Sequence, residues 1–154
     1  MGQTCAAGFY PVFKDNMAAI GLTAPPNLFS SQVSALQTIG QLAGLIKSFG
    51  MRVTVGELIG AGDLTDKLAF AGALYASYYL GGAIGSLMVA GDAFFACKVG
   101  PGAASRMHQA LFASGIALIQ PMHLFLMNHP ELFDTSSPNR RMYGIHAQAG
   151  TGLK

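Results

Sequence analysis

LAFAGALYASYYLGGAIGSLMVAG, residues 68–91, is a run of 24 residues without a formal charge, bracketed by Lys67 and Asp92. As one helix it is about 36 Å long at 1.5 Å per residue. The hydrocarbon core of a bilayer is about 30 Å thick, so the run predicts a tilted membrane span. Every fourth residue along it is small: Ala69, Ala73, Ser77, Gly81 and Gly85 fall on one line, and Gly82, Ser86 and Ala90 on the next. Residues four apart share a helix face. One side of the helix is therefore nearly bare, while Leu74, Tyr78, Leu80, Ile84, Leu87, Met88 and Phe94 crowd the other.

A bare stripe in an apolar helix has a physical use. In lipid the hydrophobic effect does not draw helices together, and close backbone packing does; small residues permit it. Gly81 and Gly85 form a GxxxG within that stripe. The expected partners are small residues elsewhere in the chain (Gly40, Gly44 and Ser48, or Ala110, Ala113, Ser114 and Ala117) or a second copy. Tyr75, Tyr78 and Tyr79 lie inside the run rather than at its ends. An interfacial belt wants tyrosine at the ends, so these hydroxyls are expected to find partners in a bundle or water in a pore, or the rings take part in ordinary helix packing. Asp92, directly after the run, is a candidate pore mouth or a simple interface residue.

On the N-terminal side, residues 1–27 form a head rich in Gly and Pro, with a short helix expected over residues 11–19 and a stop at Pro25-Pro26. Ser30 and Ser31 are positioned to cap a helix over residues 32–49. Its apolar residues Val33, Leu36, Ile39, Leu42, Leu45, Ile46 and Phe49 recur at steps of three and four, the period of one helical face. Gln32, Gln37, Gln41 and Lys47 make it amphipathic rather than spanning. Residues 50–66 read as a Gly-rich break. Within it Val53, Val55, Leu58 and Ile59 suit a short helix on a membrane surface, and Asp63 with Asp66 suits a cap for the next helix.

On the C-terminal side, Gly100-Pro101-Gly102 is a turn signal that would fold the chain into a hairpin. Residues 107–130 form a second run without formal charge, predicted as a helix kinked at Pro121. Residues 131–154 are polar, and 147–154 read as disordered. The organisation expected is thus a head (1–27), an amphipathic helix and break (28–66), a hydrophobic helical hairpin (67–130) and a polar tail (131–154). The fold class is all-α and membrane-associated. Lys and Arg on the flanks favour cytoplasmic termini.

Composition agrees with a lipid environment. Hydrophobic residues make up 51% and charged residues 10% of 154, with 20 glycines and a mean hydropathy of +0.41; soluble domains average about 25% charged. A net charge of +2 without Lys/Arg clustering argues against nucleic acid as a partner. Cys5 and Cys97 form neither a metal motif nor a disulfide framework. His108, His123, His129 and His146 lack metal-site spacing, no nucleotide loop follows Gly60-Ala61-Gly62, and no catalytic triad is readable. Neither an enzyme nor a cofactor is expected. No cleaved signal peptide is visible in residues 1–10. The chain is therefore expected to be made in the cytoplasm and to reach its membrane by another route.

The stretch YYLGGAIGSLMVA, residues 78–90, with its Gly-rich lead at 56–62 and with residues 72–77, resembles the glycine-zipper segment of small pore-forming effectors of bacterial type VI secretion systems. The resemblance covers residues 53–97. It implies a secreted antibacterial toxin carried by the secretion tube, a ring of Hcp protein. Such a toxin inserts in the inner membrane of a rival cell and lets ions through, and a cognate immunity membrane protein protects the producer. The alternative is a small integral membrane subunit of a larger complex, held by the same small-residue face, or a holin-like protein.

Overall fold

The computed structural model describes residues 9–64, 66–90, 115–132 and 138–148. Seven α-helices are present among them: α1 (Phe9–Ala19), α2 (Pro26–Phe29), α3 (Gln32–Phe49), α4 (Val55–Gly60), α5 (Ala76–Ala90), α6 (Gln120–Met127) and α7 (Met142–His146). Two 3₁₀ segments, Asp66–Ala71 and Pro130–Leu132, join them. Among the described residues there is no strand. Two isolated antiparallel bridges, Thr54 to Tyr75 and Leu74 to Gln148, are the extended pairings. The all-α expectation holds.

α5 is the axis of the molecule. α1 and α3 pack on it most extensively, and α6 and the Pro130–Leu132 turn close over it. α3 has the bounds that its periodicity predicts. Ser31 caps it reciprocally with Ser34: the Ser31 Oγ accepts from the Ser34 N–H at 3.1 Å, and the Ser31 N–H donates to the Ser34 Oγ at 3.0 Å. Gly50, at φ +96°, ends the helix and returns its N–H to the Ile46 carbonyl at 2.8 Å. The inward face of α3 is Ala35, Ile39, Leu42, Ala43 and Ile46. α1 adds Phe13 and Met17, so the head segment is part of the core.

Several expectations about extent are corrected. The helix expected over residues 68–91 starts only at Ala76, and residues 66–71 are 3₁₀. The cause is tertiary. The segment before α5 is drawn into backbone bonds with the Val53–Gly56 region: Val55 N–H to Leu74 O (2.9 Å), Gly56 N–H to Gly72 O (3.1 Å) and Ala76 N–H to Val53 O (2.9 Å). Tyr75 donates to the Ala147 carbonyl at 3.0 Å. These groups cannot also serve an α-helical ladder. At 15 residues, α5 is about 22 Å long. Among the described residues no helix is long and apolar enough to cross a membrane.

The second run is also shorter than expected. Gly115 takes φ +86°, residues 116–119 are not helical, and α6 begins at Gln120 with Pro121 in its first turn. Pro121 therefore starts a helix, where its missing N–H is harmless, and does not kink one. Pro26 likewise opens α2 where a stop was expected. Asp63 caps no α-helix. The cap pair in this region is Thr54 with Glu57 on α4, at 3.1 and 2.9 Å. On α4 Val55 and Leu58 are wholly buried, which fits a core helix rather than one lying on a surface. Ala147, expected to be disordered, is buried beneath α5. The hairpin turn at 100–102, Asp92, Cys5, Cys97 and His108 lie outside the described residues.

Candidate functional site: the wrapped face of α5

Of the eight residues expected to form the packing face, six lie on α5: Ser77, Gly81, Gly82, Gly85, Ser86 and Ala90. Ala69 and Ala73 belong to the 3₁₀ and turn segment before it and are exposed. The six on α5 are all buried. From Tyr79 to Ala90 every residue is buried, so the large-residue side is covered as completely as the small one.

The small face meets large groups instead of another small-residue helix. A Cβ on Gly81 would lie 2.7 Å from the Tyr143 hydroxyl and 2.9 Å from Phe125 Cε1. One on Gly82 would meet Leu22 Cδ1 at 2.5 Å and Ile20 Cδ1 at 3.1 Å. One on Gly85 would lie 2.5 Å from the Leu132 carbonyl oxygen and 2.8 Å from its Cβ. The expected partner Gly44 faces open space, and Gly40 has only Ile116 at 4.0 Å. Ala110, Ala113 and Ser114 lie outside the described residues. The stripe is thus a set of sockets filled by protruding groups from the wrapping segments.

A polar thread runs through the same surface. Asn16 of α1 is 4% exposed. Its Nδ2 donates to the Ser86 Oγ at 2.9 Å and to the Leu132 carbonyl at 3.0 Å. Its Oδ1 accepts from Arg140 Nη2. Arg140 Nε also donates to the Glu131 carbonyl at 2.9 Å. One amide therefore ties α1, α5, the Pro130–Leu132 turn and the segment before α7 together. Ser77 donates to the Met51 carbonyl at 2.9 Å, and the Tyr79 hydroxyl to the Thr23 carbonyl at 2.7 Å. Tyr79 thus finds its partner inside the bundle. The Tyr143 hydroxyl donates to the Tyr78 carbonyl.

Tyr143 is set by a backbone contact. A Cβ on Gly144 would sit 2.6 Å from the Gly21 carbonyl oxygen and 2.7 Å from that of Ile20. Only glycine allows α7 to approach the end of α1 so closely. Around Tyr143 stand Tyr78, Phe125 and His129, with ring centroids 5.1, 6.2 and 5.4 Å away. Burial, then Tyr78 and Glu131, push the Tyr143 phenol well above its ordinary pKa. His129 Nδ1 donates to the Glu131 carboxylate at 2.9 Å. Among the described residues no three His, Cys, Asp or Glu side chains are placed to share a metal ion.

What lies over this face was not legible in the sequence. Asn16 was missed because an asparagine between Asp15 and Met17 in a helix reads as surface. Tyr143 was missed because its helix is five residues long within a polar tail. No family model, curated protein or solved structure matches this chain.

Proposed function

We propose that this chain is a membrane-inserting, pore-forming antibacterial toxin, folded so that its most apolar helix stays wrapped until it meets a target membrane. The observation that carries the reading is α5: 15 residues without a formal charge, with no face turned outward from Tyr79 to Ala90. The sequence resemblance to type VI effectors supports the delivery half. It suggests an Hcp ring as carrier, the inner membrane of a rival cell as target, and an immunity membrane protein in the producer.

Insertion on this reading includes a change of length. Residues 68–75 carry no formal charge. Rewinding them onto α5 gives a helix over 68–90 of about 34 Å, enough to cross about 30 Å of hydrocarbon. The backbone groups of 72–76 that now bond Val53, Val55, Gly56 and Ala147 take helical partners instead, which suits them to lipid. Ala69 and Ala73 then join Ser77, Gly81 and Gly85 in one row. The sockets vacated by Tyr143, Leu132, Ile20 and Leu22 accept the same face of another copy. Asp92 follows directly and stands at the mouth.

The test is expression in a bacterial host with and without a periplasmic leader, following membrane potential with a voltage-sensitive dye. Rapid depolarisation without entry of large dyes is the expected result. An Asn16→Ala variant, which loosens the wrapping and leaves the sequence of α5 unchanged, should depolarise faster. Intact potential with the protein verified in the membrane would overturn the toxin reading and favour the structural subunit.

A further inference from the structure

We propose that the cleft between the first turn of α5 and the last turn of α6 is a binding site for a small aromatic carboxylate. The cleft has a volume of about 400 Å³, within the roughly 300–1,000 Å³ common for small-molecule sites. Its walls are rings: Tyr75 just before α5, Tyr78 in its first turn, Phe125 in the last turn of α6, and His129 just beyond it. Tyr78 meets Phe125 edge-on at 4.9 Å, and Phe125 lies 4.5 Å from His129. Tyr75 is tilted 34° to Tyr78 at 6.1 Å. Such a wall offers ring faces and edges to a planar guest.

The polar end is supplied by Arg52, on the turn that Gly50 starts after α3. Arg52 is exposed and makes no hydrogen bond or ion pair among the described residues. Among the lining residues it bears the one permanent charge. The phenol hydroxyls of Tyr75 and Tyr78 likewise make no hydrogen bond among the described residues. A guanidinium presents a planar fork that matches a carboxylate in two parallel bonds, and free phenols beside it can donate a third. The carboxylate of Glu131 is not a lining group and is engaged by His129 Nδ1; after burial, its charge is the next cause that raises the pKa of the Tyr78 phenol, so the Arg52 guanidinium has to outweigh it for an anionic guest. Ser77 already donates to the Met51 carbonyl and so offers an acceptor rather than a donor.

These features select the ligand class. An aromatic-lined cleft with no cation takes cations; here the guanidinium in the wall repels them. A phosphate dianion is better matched by several cations, and one Arg balances one carboxylate. The inference does not depend on what α5 does in a membrane.

The experiment is equilibrium titration of the full chain with 2-naphthoate, and with 2-naphthamide as its uncharged analogue. Saturable one-to-one binding of 2-naphthoate is expected. The amide should bind about tenfold more weakly or worse, since it loses the ion pair. Arg52→Gln should weaken 2-naphthoate by about the same factor and leave the amide unchanged, and Arg52→Lys should fall between because an ammonium lacks the fork. Arg52 is exposed and unpaired among the described residues, so the melting temperature of the ligand-free Arg52→Gln protein should match the parent. Equal binding of acid and amide, undiminished binding of the acid to Arg52→Gln, or no saturation at millimolar ligand would each overturn the assignment.

Discussion

Gly85 and Gly82 are neighbours on one face of α5, yet their missing side chains protect different things. Above Gly85 lies the backbone of Leu132, with its carbonyl oxygen 2.5 Å from where a Cβ would be. Above Gly82 lie the methyl ends of Leu22 and Ile20. Backbone cannot swing aside, whereas methyl ends can rotate. Alanine also gains about 1 kcal/mol over glycine in a helix interior, which offsets a mild overlap. Gly85→Ala should therefore destabilise by about 1–3 kcal/mol, the usual range for overpacking, and Gly82→Ala should lie within about 1 kcal/mol of the parent. Urea midpoints at constant m-value measure both. The opposite order would mean that the Leu132 turn yields more readily than the end of α1.

At the level of elements, the start of α5 is decided by competition between two sets of backbone partners. The sequence from Leu68 onward has nothing that forbids a helix, and its period is helical. What stops it is Gly56, whose Cα leaves room for the Gly72 carbonyl; a Cβ there would lie 2.9 Å from that oxygen. Gly56→Ala should push the two segments apart. Amides of Val55, Gly56 and Ala76 should then exchange hydrogen faster, while those inside α3 remain as slow as in the parent. Unchanged exchange at all three would show that the ladder does not depend on this close approach. On the proposed reading the same variant should also insert in membranes sooner, because the rewound helix has less to break.

α3 could be read in full because Ser31 and its period are local signals. The Thr54–Glu57 box is an equally local signal, whereas the expected Asp63–Asp66 pair caps no α-helix. The end of α5 facing Val53 could not be read, since it depends on a segment about 20 residues away. The small-residue stripe lies where wrapping segments come close to α5. It did not say what they would be, because a bare face suits an aromatic ring or a carbonyl as well as a second helix. The aromatic cleft drew on Arg52, Tyr75 and Phe125, which no sequence spacing links.

For the whole molecule, stability should fall in alkali in a way that can be assigned. The Tyr143 phenol is raised well above its ordinary value of 10.0, chiefly by burial. Below pH 10 both folded and unfolded chains keep its proton, and its contribution is fully present. Above pH 10 the unfolded chain loses the proton and the folded one retains it. The folded form then binds more protons, so stability declines as pH rises, by about 1.4 kcal/mol per pH unit for one such group. Tyr143→Phe should lose about 1 kcal/mol at neutral pH through its bond to the Tyr78 carbonyl, and should show a shallower decline above pH 10. Parallel curves for parent and variant would refute the assignment.

The Tyr143–Tyr78 bond joins residues 65 apart, and Asn16 reaches Arg140 across 124. A ribosome makes the chain in order, at roughly 5–20 residues per second. For roughly 3–13 seconds after Tyr78 is polymerised, the residue that fills the Gly81 socket therefore does not exist. During that interval α5 can gather α1 and α3 but lacks its last cover. The newborn chain is then most exposed to capture by a chaperone, by a neighbouring copy or by a membrane of the cell that makes it. Slowing translation between Ala90 and Tyr143 would lengthen the interval, whereas a faster stretch of codons there would shorten it without altering a single amino acid.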